Sequence, residues 1–293
     1  MALNRDLVGK RYSFPPSQAY EVSRELILRH AQALGDDNAL YRDRAAARRA
    51  GYRDVVAPPT FLAIVPHARV SPIEDPQLRV DKTRGLHAEH RFVHTRPLVA
   101  GDEIVLTTTI AGIADAGRHE TLHMVSEART VGGELVSTVD HVVLFRGPDR
   151  PGGRTREPEP VAPPVDDPAY PPRRFEVTML ELLAYSGWAW EFEPIHWSPA
   201  AAAAAGLPGV IAHGMFTLSK VAQAVTGWTG DPGRIRVLQA RFTAPLVVDE
   251  RRSTGLDVAV TGVESTGDGT VLAVAATAGG TSLLSRATAT VVP

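Results

Sequence analysis

Two hydrophobic periods alternate along this chain, one of 3.6 residues and one of two. Thr178 and Glu181 form a Thr-x-x-Glu pair ahead of apolar Leu182, Leu183 and Tyr185, a capping-box signature that predicts a helix starting near Thr178. Ser198-Pro199 supplies an N-cap with proline in the first helical position; six alanines follow and Gly206 stops the segment. After the turn Leu207-Pro208-Gly209, Met215, Leu218, Val221, Ala222 and Val225 recur at helical spacing and predict a helix over Gly214–Val225. From Arg234 the period becomes two: Val237–Ala244, Gly255–Val263, Thr270–Ala278 and Ser282–Val292 are β-branched and alternating, so four strands are predicted. The earlier part of the chain matches with strands over Gly85–His94, Glu103–Gly112, Glu120–Thr130 and Glu134–Leu144. Helices first and then a run of antiparallel strands give an α+β class, a sheet wrapped on a central helix.

The two parts are copies. Shifting the first by 155 positions lays Tyr20–Phe61 on Phe175–Phe216 without a gap. Glu21-Val22 then meets Glu176-Val177, Gly51 meets Gly206, Val55 and Ala57 meet Val210 and Ala212, and Phe61 meets Phe216. Further on, Arg91-Phe92 before Pro97-Leu98-Val99 echoes Arg241-Phe242 before Pro245-Leu246-Val247. Between the copies, Gly147–Pro172 holds nine of the 23 prolines and few large apolar side chains, the composition of an extended linker. The reading is therefore an N-terminal domain over 1–146, a linker over 147–172 and a C-terminal domain over 173–293, made by duplication and fusion.

Composition narrows the function. The formal net charge of -2 gives no cationic field for nucleic acid or an anionic membrane surface, and no partner of either kind is expected. The absence of cysteine removes thiolate metal sites and cysteine nucleophiles. The N-terminal stretch does not read as a signal peptide and no run approaches a membrane span, so a cytoplasmic protein is expected. P-loop, G-x-S-x-G and H-E-x-x-H motifs are missing. His87, His90 and His94 lie close in sequence, but strict strand alternation sends His87 and Glu89 to one face and His90 and His94 to the other. No metal site is expected there.

Chemistry concentrates in Trp188–Trp197 and Gly206–Met215. Glu191 and His196, separated by a proline turn, can place a carboxylate and an imidazole on one loop within reach of one water. Gly214 opens the apolar helix, where free N–H groups and the positive end of the helix dipole can hold a developing oxyanion. Substrate contacts are assigned to Glu193, Trp190, His213 and Met215, with His213 read first as a structural hydrogen-bonding residue. At the offset of 155, Tyr41 stands where His196 does and Pro58-Pro59 where His213-Gly214 do, so the first copy lacks both imidazole and glycine N–H.

Here the chain resembles the MaoC-like dehydratases, (R)-specific enoyl-thioester hydratases marked by a D-x-N-P-x-H loop and an A-G-(L/F)-x-x-x-I-A-H-G-M segment. This sequence has Glu191-Phe192-Glu193-Pro194-Ile195-His196 and Ala205-Gly206-Leu207-Pro208-Gly209-Val210-Ile211-Ala212-His213-Gly214-Met215. The first half resembles the degenerate N-terminal domain of two-domain members, through Val8-Gly9-Lys10, Ala57-Pro58-Pro59-Thr60-Phe61 and Arg96–Asp102. The resemblance implies a double hot-dog fold. It implies hydration of a 2-enoyl thioester to an (R)-3-hydroxyacyl thioester, or the reverse, with the acyl group on coenzyme A or acyl carrier protein and no further cofactor. Glu191 takes the Asp place, His196 the His place and Gly214 the carbonyl-polarising place, while the first half shapes an acyl tunnel. Glu191 is one methylene longer than Asp, and Glu193 sets a second carboxylate where the family has Asn. These changes leave open a repurposed acid-base enzyme (conjugate addition, cyclisation or thioester hydrolysis) or a non-catalytic acyl-binding protein. An acyl carrier protein partner and self-association into a homo-oligomer are both compatible with the fold.

Overall fold

The structure is a computed structural model that describes residues 2–63, 71–147 and 160–293. Its strands are β1 (Arg11–Ser13), β2 (Tyr20–Glu21), β3 (Gly85–His94), β4 (Glu103–Ala116), β5 (His119–Thr130), β6 (Leu135–Phe145), β7 (Arg173–Val177), β8 (Ile235–Phe242), β9 (Thr254–Thr266), β10 (Gly269–Ala278), β11 (Thr281–Ser282) and β12 (Leu284–Val291). The helices are α1 (Arg24–Ala33), α2 (Arg44–Arg49), α3 (Met179–Ala189), α4 (Pro199–Ala204) and α5 (Gly214–Thr229). All strands join one sheet in the order β1-β4-β5-β6-β3-β8-β12-β10-β9-β7, with β2 on β4 and β11 on β10.

The duplication is visible in this order. Reading outward from the centre, β3, β6, β5 and β4 are answered by β8, β12, β10 and β9, and the halves meet where β3 pairs antiparallel with β8, His90 opposite Ala240. The offset of 155 holds in three dimensions: the turn Ala39–Tyr41 maps onto Pro194–His196, and α2 maps onto α4. The bridge Val56↔Val99 has a counterpart in Ile211↔Val247, with Val56 at the same offset and Val99 at a shorter one. Both capping signals form, with the reciprocal Thr178–Glu181 box at α3 and the Ser198 hydroxyl accepting from the Ala201 N–H at α4. Gly206 then takes φ 73, a left-handed turn that favours glycine.

In the second half α5 buries eleven residues on every side, from Met215 to Thr226, as a helix threaded through a core must. Its Lys220 is buried too: Nζ donates to the Leu34 carbonyl of the first half at 2.6 Å and to Glu181 Oε1 at 3.1 Å. One ammonium thus ties α5 to both copies. In the first half the described residues at the equivalent position end in the turn Phe61–Ala63, after Pro58-Pro59. Part of the linker falls outside the described residues, but Val165 and Tyr170 pack on the core and the Val165 N–H donates to the Val260 carbonyl. That end of the linker is fastened to the second half. Among the described residues no helix is long and apolar enough to cross a membrane.

One sequence expectation fails here. The register of β3 on β6 steps from His87↔Val143 to Glu89↔Val142, leaving Ala88 as an extra residue in a β-bulge. The bulge breaks strict alternation, so His87 falls beside His90, with His87 Nε2 2.9 Å from His90 Nδ1. The separation of these two histidines onto opposite faces is corrected.

Candidate active site

Helix α3 ends in a sharp turn. Trp190 caps it in the left-handed region at φ 52, a conformation unfavourable for a bulky side chain, and the N–H groups of Trp190 and Glu191 both turn back to the Ser186 carbonyl. The chain then runs through Phe192 and Glu193 into the turn Pro194–His196, where proline supplies the first φ and the His196 N–H bonds the Glu193 carbonyl. This short path brings Glu191 and His196 to the mouth of α5.

His196 is buried and its orientation is fixed. Nδ1 lies 2.7 Å from the Ile211 carbonyl, which can only accept, so Nδ1 carries the proton and Nε2 keeps its lone pair. Burial lowers its pKa, opposed by the Ile211 bond, and holds the ring in the neutral, base-competent form. His213 stacks on it with centroids 3.7 Å apart. The His213 Nε2–H reaches the Glu191 carbonyl and the Ser186 hydroxyl, each at 3.3 Å. Burial and the neighbouring imidazole push His213 down to about 3, so it too is neutral. His213 therefore connects the backbone of Glu191, the ring of His196 and the start of α5.

Glu191 behaves oppositely. Its residue surface is open to solvent at the mouth while its carboxyl group is crowded by protein. The crowding, followed by the charge of Glu193, pushes its pKa up to about 7. Solvent contact tempers the size of this shift, but both causes act upward. Gly214 is the first residue of α5, where helix geometry provides no acceptor for the N–H. A Cβ there would stand 3.2 Å from the Phe242 ring, so glycine lets the backbone approach closely.

The structure thus stacks His196 on His213, which reaches the Glu191 backbone carbonyl and immediately precedes Gly214. It sets the other candidates apart. Met215 points into the core, Glu193 is exposed, and Trp190 is 79% exposed with its ring edge-on to Phe192 at 6.2 Å. One residue set escaped the sequence reading: at the offset of 155, Asp36 and Asn38 stand where Glu191 and Glu193 do. Asp36 is buried, accepts from the Asn38 N–H and is pushed up to about 6, chiefly by burial. The first copy thus keeps a carboxylate but has Tyr41 in place of the imidazole.

Two family models divide the chain: a FAS1-like dehydratase domain region matches residues 7–139 and a MaoC like domain matches residues 161–277. The chain belongs to the MaoC-like dehydratase family. A UPF0336 protein of Thermobifida fusca is 44% identical to this MaoC-like chain over 154 residues, covering 52% of it and 99% of the relative. A solved MaoC-like dehydratase is 26% identical and superposes with a TM-score of 0.84, covering 98% of each chain. A Mycobacterium tuberculosis protein described as a double hotdog fold matches at 15% identity and a TM-score of 0.63, over 97% of this chain and 96% of that one. The MaoC-like chain therefore has the double hot-dog architecture, one sheet shared by two tandem copies.

Proposed function

We propose that this protein is a hydratase/dehydratase of acyl thioesters, adding water to a 2-enoyl thioester to give the (R)-3-hydroxyacyl thioester, or the reverse. The observation that carries the reading is the buried His196, its Nδ1 bonded to the Ile211 carbonyl and its ring stacked on His213, whose Nε2–H reaches the Glu191 backbone carbonyl at the start of α5. His196 keeps the Nε2 lone pair, its pKa lowered by burial, while crowding and the Glu193 charge push the Glu191 pKa upward. In hydration, His196 Nε2 takes a proton from water as its oxygen bonds to C3. The electrons of the 2,3-double bond move toward the thioester carbonyl, and the Glu191 carboxyl delivers its proton to C2. The charge that develops on the carbonyl oxygen is met by the Gly214 N–H and the positive end of α5. Return of the proton from His196 to Glu191 resets the pair, and dehydration runs the same steps backward.

The carrier is coenzyme A or acyl carrier protein, and the residues present need no further cofactor for this step. The test is loss of thioester-conjugation absorbance from 2-enoyl-CoA and 2-enoyl-carrier substrates, run with His196→Ala and Glu191→Gln. Turnover by the wild type and loss in both variants is the expected result. A folded wild type inactive on every chain length and carrier overturns it.

A further inference from the structure

The first half carries a histidine cluster that this chemistry does not use. The bulge at Ala88 turns His87 onto the face of His90, and His90 stands directly opposite His141 on β6. His87 Nε2 is 2.9 Å from His90 Nδ1, and the His87 and His141 ring centroids are 4.2 Å apart. One ring nitrogen from each of the three lies within 4.8 Å of the other two.

We propose that His87, His90 and His141 form a binding site for a divalent transition-metal ion of the zinc class. Three imidazoles without a carboxylate are a donor set for zinc and its neighbours rather than for calcium or magnesium. Two acidic side chains on the same strands are engaged elsewhere: Glu89 with Arg241, and Asp140 with Arg91 and His123. Around a tetrahedral zinc, nitrogens about 2 Å from the ion sit about 3.3 Å from one another. The 2.9 Å contact must open by a few tenths of an ångström and the widest pair close by no more than about 1.5 Å, small side-chain rotations.

The frame is rigid enough to hold that geometry, because β3 is hydrogen-bonded on one side by β6 and on the other by β8. Binding would use one ring-nitrogen lone pair from each histidine. His90 and His141 also line the small cavity with Thr108 and Ser126, which gives room for water as a fourth ligand. The His87 ring packs on Phe242 at 4.6 Å, and Phe242 is the ring against which Gly214 is fitted. The bound ion would thus sit one aromatic ring from the candidate oxyanion donor, at the seam of the two copies.

The experiment uses the untagged full chain, stripped with chelator, titrated with zinc chloride by calorimetry and with cobalt(II) by visible absorption. We expect one ion per chain, a cobalt spectrum of low coordination number and a raised Tm. His87→Phe and His141→Asn should each weaken zinc by at least the 10–100-fold that loss of even an outer partner costs. His123→Ala, on the other face of β5 and bonded to Asp140, should bind like the wild type. Circular dichroism of the metal-free variants identifies which of them fold, and a folded variant carries the test. No stoichiometric binding, or binding that the two ligand variants retain at wild-type strength, overturns the site.

Discussion

Replacing Gly214 by proline, with alanine as its steric control, isolates one backbone N–H. Gly214 is the first residue of α5, the position at which proline is tolerated because its missing N–H has no helical partner. His213 already holds φ -58 and ψ 139, the extended region that a residue before proline prefers. Both substitutions add a Cβ that meets the Phe242 ring at 3.2 and 3.3 Å, so the ring must give by a few tenths of an ångström in each. Overpacking of this kind costs about 1–3 kcal/mol, and alanine and proline share it. What differs is the hydrogen-bond donor, which proline replaces with its ring Cδ. An oxyanion donor is worth about 10²–10³ in kcat, or about 2.7–4 kcal/mol, so Gly214→Pro should fall below Gly214→Ala by that factor. The assay is kcat on a 2-enoyl-CoA followed by absorbance, with thermal melts to show that the two variants are equally folded. Equal kcat for the two variants, within about threefold, would refute the assignment of the Gly214 N–H as the donor.

Two further outcomes follow from buried charge. The Glu193 charge raises the Glu191 pKa, second to burial, so Glu193→Gln should lower it while leaving it above that of a free glutamate. Protonated Glu191 is the donor in hydration, so activity declines as pH rises through its pKa, and the alkaline limb of kcat/KM should move to lower pH in this variant; an unmoved limb would assign it to another group. Lys220→Met leaves the Leu34 carbonyl without its donor, at about 1–3 kcal/mol. Glu181→Ala strips the buried ammonium of its carboxylate and should cost more, about 3–5 kcal/mol. Denaturant unfolding that ranks the two the other way would refute this account of the Lys220–Glu181 pair.

The candidate site was legible to the extent that it depends on local rules. Ser198-Pro199 and the Thr178–Glu181 box set where α4 and α3 begin, and Gly206 and the proline at 194 set the turns between them. Those signals put Glu191, His196 and Gly214 in order along one stretch, and the constant offset of 155 exposed the duplicated framework. The same offset also aligned Asp36 with Glu191, a correspondence visible in the sequence once carboxylates rather than identities are compared.

Other features had no local signal. Which imidazole nitrogen is free in His196 depends on the Ile211 carbonyl fifteen residues away, and the stacking of His213 on His196 depends on how α5 enters the core. Alternation along β3 held until Ala88, where pairing with β6 inserted the bulge that gathers His87, His90 and His141. The sequence by itself determined the elements, their caps and the repeat, because these rest on hydrogen bonds and side-chain periods among near neighbours. Only the tertiary structure decided strand register, the tautomer of the base and the tuning of Glu191, because each is set by burial and by partners brought close from distant parts of the chain.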